Sequence, residues 1–182
     1  MNMRNTTLLL SLLAVAGASS LASADDAAAG RARGRAVAHT ADGGRVAAGG
    51  AAARGTNGAY AHGHRVTSDG QGNVEGSRRA MAVGANGGTA QSQGSSYRNA
   101  DGSAGRQGSA SATGPDGGTA STSGSITRDA DGNVNGSRGS SVTGKDGNSY
   151  NGSTTVQDGT VTHTANCTNA AGETIACPSR GN

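Results

Sequence analysis

An all-β fold, an antiparallel meander of thirty-residue hairpin repeats, is what this sequence predicts, and three observations predict it. A turn signal returns every fifteen residues as Ala100-Asp101-Gly102, Pro115-Asp116-Gly117, Ala130-Asp131-Gly132 and Lys145-Asp146-Gly147. From Asn99 to Asp158 every apolar residue except Pro115 carries an even number, among them Ala104, Ala112, Ile126, Val134, Val142, Tyr150 and Val156. Asn73-Val-Glu-Gly-Ser-Arg78 returns as Asn133-Val-Asn-Gly-Ser-Arg138, sixty residues on, so the repeat is real. Alternation with a period of two marks a sheet with one apolar and one polar face.

Turns and alternation support each other. Pro-Asp-Gly suits a three-residue loop, a type I turn closed by a residue in the left-handed region. Proline pre-sets φ, Asp tolerates the second position, and Gly takes φ > 0 without a Cβ clash. A loop centred on Asp116 pairs even numbers with even, and loops at Asp101, Asp131 and Asp146 do the same. The expected cross-strand pairs include Ala112 with Ala120, Arg106 with Ile126, and Val142 with Tyr150. A parallel β-solenoid of fifteen-residue coils would stack Ile126 over Ser111 and Ser141 and swap parity. A solenoid with thirty-residue rungs remains the alternative fold.

Residues 1–24 read as a secretory signal peptide, with Arg4, the apolar run Leu8 to Ala16 and the small-residue site Ala22-Ser23-Ala24. The run is too short to anchor in a bilayer, and no later segment would span one. All six leucines fall in this segment. The expected location is therefore secreted or periplasmic, after cleavage near Ala24.

Residues 25–65 form an Ala/Gly/Arg-rich lead-in with poor alternation, from Asp25-Asp26 through Arg31, Arg33 and Arg35, and weak order is expected there. Asp42-Gly43 and Asn57-Gly58 mark it as a degenerate repeat. Residues 66–160 are the β-hairpin repeat region. At its start Met81 and Val83 carry odd numbers, which predicts a bulge or register shift near Gly70 to Asn73. Near its end Asp158-Gly159 reads as a two-residue type I′ turn that pairs Val156 with Val161. Residues 161–182 are a disulfide-closed C-terminal hairpin and tail, turning near Gly172.

Composition excludes an ordinary core. Past Ala24 there is no Leu, Phe or Trp, and the large apolar residues are nine Val, two Ile, Met81 and three Tyr. Either the sheet is marginal alone or its Ala face is covered by another copy or partner; a disordered secreted filler is the remaining alternative, which the Gly, Ser and Asn content would also suit. Unbroken parity argues for the sheet. Fourteen basic residues, thirteen of them Arg, stand against twelve acidic ones after cleavage. Arg forks onto phosphate and carboxylate, as DNA, lipopolysaccharide or acidic polysaccharide would require. The high Arg, Ala and Gly codon usage of a GC-rich genome accounts for the same count.

Chemistry is sparse. Cys167 and Cys177 are the only cysteines of the mature chain, and an oxidising compartment predicts one structural disulfide between them. Asp129-Ala-Asp131-Gly-Asn133 echoes a calcium loop, but Thr127 and Arg138 stand where ligands are needed, so it reads as a turn. His62-Gly-His64, with His39 or His163, lacks the Cys or carboxylate company of a metal site. No Gly-x-Ser-x-Gly elbow is present, no nucleic-acid motif, and too few aromatics for stacking platforms. No cofactor is expected, and no enzyme.

Thr143-Gly-Lys-Asp-Gly-Asn148, Asn151-Gly-Ser-Thr154 and Cys167-Thr-Asn-Ala-Ala-Gly172 carry a family likeness. Over residues 66–180 the chain resembles uncharacterised Gly/Ser/Thr-rich secreted repeat proteins of Gram-negative bacteria, and that resemblance implies no activity. The expected function is a secreted, non-enzymatic structural protein of the envelope or extracellular matrix. It would self-associate through its Ala/Arg face or open sheet edges. The alternative is a binding module, in which the Arg or Ser/Thr-rich face contacts anionic polymer, polysaccharide or ice.

Overall fold

Turn spacing dictates the backbone pairing throughout. The computed structural model describes residues 29–177, so the signal peptide expected over residues 1–24 lies outside the described residues, as does the tail 178–182. Ten long strands are present: β1 (Gly30–His39), β2 (Arg45–Gly55), β3 (Gly58–Ser68), β4 (Val74–Gly84), β5 (Thr89–Arg98), β6 (Ala104–Thr113), β7 (Thr119–Arg128), β8 (Val134–Thr143), β9 (Ser149–Gln157) and β10 (Thr160–Thr168). A short β11 (Thr174–Ile175) follows. All eleven form one antiparallel sheet in chain order, an open meander with β1 and β11 at its edges.

The hairpin loops have the expected chemistry. Gly117 donates its N–H to the Gly114 carbonyl at 3.1 Å, and Gly117 itself takes φ 87°, which closes a type I turn with a left-handed residue. The loops at Gly102, Gly132 and Gly147 repeat that bond and that backbone. The Asp158-Gly159 turn holds both residues at positive φ, 49° and 77°, as type I′ requires. The expected pairs follow: Ala112 with Ala120, Arg106 with Ile126, Val142 with Tyr150 and Val156 with Val161.

The Ala/Gly/Arg-rich segment supplies β1, β2 and most of β3, paired in continuous register with the rest, and two other expectations are corrected. A backbone ladder needs turns at the right spacing, and Thr40–Gly44 and Thr56-Asn57 provide them; side-chain alternation is dispensable. No register shift occurs at Gly70 to Asn73, because Ser68 pairs with Val74 and parity is kept. The flip lies one loop earlier, where the two-residue connection Thr56-Asn57 pairs Gly55 with Gly58. Lastly, the C-terminal hairpin is centred on Ala171 and not Gly172, so Cys167 faces Ile175 and Cys177 lies past the strand. Asn169 sets that centre by accepting the Ala171 and Glu173 N–H groups on Oδ1, at 3.0 and 2.9 Å.

The sheet is a single layer without a core. Among the described residues Cys167, at 3% exposure, is the one buried apolar side chain, while Met81 and Val161 remain 64% and 65% exposed. Order therefore rests on ladder hydrogen bonds, turns and cross-strand contacts.

Candidate binding faces

Residues directly opposite in an antiparallel pair point to the same side. The six connections from β3 to β9 pair even with even. The two-residue loops at Thr56-Asn57 and Asp158-Gly159 swap parity. One side thus collects the even residues of β3–β9 and the odd residues of β1, β2, β10 and β11. The other side collects the complement.

The first side is an arginine face. Arg31, Arg33 and Arg35 line the edge strand β1, and Arg45 begins β2. Arg78, Arg98, Arg106, Arg128 and Arg138 follow, one each from β4 to β8. No strand carboxylate shares this side. Glu75 points the other way, and the remaining carboxylates among the described residues occupy the hairpin loops. Guanidinium groups stay protonated at any physiological pH, so this face is permanently cationic.

Its relief comes from glycine. One register row reads Arg78, Gly94, Gly108, Gly124 and Arg138, a strip of bare backbone between two guanidinium groups. Arg78 leans over this strip, since a Cβ on Gly94 would sit 3.3 Å from its Nε. Arg138 is steered by its Nε, which donates to Thr122 Oγ1 at 3.2 Å. Arg128 donates through Nη2 to the Gly102 carbonyl at 3.0 Å. Two rows over, Tyr60, Ala82, Ala90, Ala112, Ala120, Val142 and Tyr150 form an apolar band in register across seven strands. A shallow depression of about 600 Å³ runs along this part of the face, from Tyr60 and His62 to Arg138 and Val142. The Tyr60 and His62 rings stack there at 6.2 Å.

The second side is a hydroxyl face over β5–β11, where every position is Ser, Thr, Asn, Gln or Gly apart from Tyr97. One row reads Thr89, Thr113, Thr119, Thr143, Ser149, Thr168 and Thr174 across seven successive strands. Ser149 Oγ and Thr168 Oγ1 lie 2.7 Å apart, and Gln91 Nε2 donates to Ser111 Oγ at 3.1 Å. Toward β1 the same side turns apolar, with Met81 opposite Ala61 and Val83 opposite Ala59. Its charged residues, Arg54, Arg65, Glu75 and Arg79, all lie on β2–β4.

The residues singled out in the sequence divide into turns and a clamp. Asp101-Gly102, Asp116-Gly117, Asp131-Gly132, Asp146-Gly147 and Asp158-Gly159 all sit in hairpin connections, spread over both ends of the sheet. Cys167 and Cys177 are bonded, with Cα atoms 5.2 Å apart. Asp129 of the calcium-like stretch accepts the Asn133 N–H and side-chain amide at 2.9 and 2.8 Å, as a turn carboxylate does. The Asn133 amide is the main reason its carboxyl is held below the ordinary Asp range. Asn73 does the same for Asp69, and Ser103 for Asp101. Among the described residues no three His, Cys, Asp or Glu side chains gather to hold a metal, and no helix is long and apolar enough to cross a membrane.

Sequence reasoning, which already placed an Ala/Arg face on the even residues, missed that the arginines of β1 and β2 join it. Arg31, Arg33, Arg35 and Arg45 are odd-numbered and the other five even-numbered, so parity alone scatters them. The signal was present in Thr56-Asn57-Gly58, a second two-residue turn like Asp158-Gly159. No protein-family model, curated protein or solved structure matches the chain.

Proposed function

We propose that the protein is a secreted, non-enzymatic β-repeat protein of the cell envelope or extracellular matrix that holds anionic polysaccharide on its arginine face. One observation carries the reading: nine arginines from seven strands and edges converge on one side that has no strand carboxylate. An uncompensated array of this kind attracts polyanions over its whole area, and Arg pairs bidentately with carboxylate and phosphate. The Gly94, Gly108 and Gly124 strip leaves room for a chain to lie against backbone between Arg78 and Arg138. Few aromatics and arginines spread in two dimensions suit a sheet-like polysaccharide matrix better than a single nucleic-acid strand. The bonded cysteines are compatible with an extracellular or periplasmic location.

Cosedimentation with polygalacturonate tests this. Binding is expected to the acid form and not to its fully methyl-esterified form. It should vanish near about 1 M salt, where the screening length falls to about 3 Å. Arg98→Gln, Arg106→Gln and Arg128→Gln together should weaken binding by roughly tenfold or more. Arg54→Gln, Arg65→Gln and Arg79→Gln, an equal charge loss on the other face, should leave it nearly unchanged. Equal losses from the two triple variants would defeat the assignment.

A further inference from the structure

A single sheet layer exposes both of its faces, and stable domains cover at least one of them with a second layer. The two faces differ in what they can accept. A second copy laid on the arginine face would set nine guanidinium groups against nine others with no strand carboxylate between them. The hydroxyl face over β5–β11 has no charged side chain at all. Each Ser and Thr hydroxyl both donates and accepts, and each Asn and Gln amide does the same, so this face is complementary to itself. Self-complementarity is what a two-fold interface demands, because the same patch must serve both partners.

We infer that two copies of the chain pair face to face through the hydroxyl sides of β5–β10, leaving both arginine faces outward. Area supports the pairing. Six strands about 4.8 Å apart, each about 34 Å long, present roughly 1,000 Å² per copy. Specific interfaces need about 800 Å² per partner. Short side chains support it too: Ser, Thr and Gly lose little rotamer freedom on contact and let the layers approach closely. Thr methyl groups along the Thr113, Thr119 and Thr143 row supply apolar contact, and Met81 at 64% exposure extends the same side toward β1. The edge at β1 is a poorer meeting place, because that strand carries Arg31, Arg33 and Arg35. The pairing does not rest on the polysaccharide reading. Joined to it, the pairing yields a bivalent particle able to bridge two polymer strands.

Light scattering on the oxidised, secreted chain decides it. Twice the monomer mass is expected, falling to the monomer mass on dilution. Ser123→Arg, exposed at the centre of the hydroxyl face, should give monomer at every concentration while keeping the far-UV β signal. Gly139→Arg is a second variant on that face, at a position where an added Cβ meets nothing within 4 Å. Ala112→Arg, on the arginine face, should still pair. Monomer mass for the unaltered chain at all concentrations overturns the inference and leaves the hydroxyl face to water, ice or a neutral sugar. A dimer that survives Ser123→Arg and Gly139→Arg but is split by Ala112→Arg overturns it as well, by moving the contact to the other face. Polygalacturonate binding measured on the same monomeric variants separates the two readings, because single-copy binding should persist when pairing is lost.

Discussion

Gly117 shows how much one backbone angle carries. Its φ of 87° lies where a β-branched residue is strained, and a Cβ there meets no neighbour within 4 Å, so the cost of substitution is conformational and not steric crowding. Gly117→Val should therefore destabilise the sheet by about 1–2 kcal/mol, read as a lower denaturant midpoint. Ser121→Val, on the exposed hydroxyl face, should be nearly neutral for folding and promote association. An unchanged midpoint for the glycine variant would mean that the turn adapts. Carboxylates at Asp69, Asp101 and Asp129 give a second residue-level expectation. Hydrogen bonds lower all three pKa values below the ordinary 3.8. Groups depressed in the folded state contribute stability above their unfolded pKa and lose it as pH falls through the folded value. The β signal should hold from neutrality to about pH 4 and weaken only below it. Loss of the β signal well above pH 4 would show that these turn carboxylates do not set the acid limit.

Hairpins are the units in which register is set. Val142 faces Tyr150 across the Asp146 loop, whereas Ser149 lies on the opposite side. Cysteines at Val142 and Tyr150 should oxidise readily to a disulfide, and cysteines at Val142 and Ser149 should not. Comparable bridging of both pairs, measured by mass with and without reductant, would refute this register. The last hairpin depends on its clamp. Strand β11 pairs through Cys167 with Ile175 and Thr168 with Thr174 alone. Closing the loop between Cys167 and Cys177 should contribute roughly 2.5–3 kcal/mol on chain-entropy grounds. Replacing both cysteines by Ser should raise amide exchange in β10 and β11 first and leave β4–β8 protected. Uniform loss across the sheet would show that the meander unfolds as a single cooperative unit.

At the scale of the molecule the sheet is one-dimensional: every strand touches only its chain neighbours, so stability accumulates unit by unit. Deleting residues 104–133 removes β6 and β7 and joins Ser103 to Val134, with one turn of the series standing in for another. A nine-strand sheet should form, with the arginine side of each remaining strand still aligned and the far-UV signal reduced in proportion to length. A deletion product without β signal would show that the sheet needs its full width, for instance to present enough area to a second copy. Both proposed roles are whole-molecule properties. The arginine face gains its charge from seven different strands, and the hydroxyl face gains its area from six.

Local chemistry was legible because a sheet's period and its turns are short-range facts. The turn spacing, the even-number alternation and the pair Cys167 and Cys177 sufficed to determine an antiparallel meander, the pairing of Ala112 with Ala120, and a bonded C-terminal end. What the reading of the linear pattern did not carry was the count of residues within one loop. Thr56-Asn57 is an even-membered connection, so it inverts parity between β2 and β3. That inversion brings the odd-numbered arginines of β1 and β2 to the same side as Arg78, Arg98, Arg106, Arg128 and Arg138. Met81 and Val83, where the alternation alone suggested a bulge, stay on the hydroxyl side because the connections on both sides of β4 keep parity. Side-chain direction reverses at every residue, so a single loop residue decides the face of everything beyond it. Which strands form was written in the sequence; which side of the sheet holds the charge was decided by the loops in three dimensions.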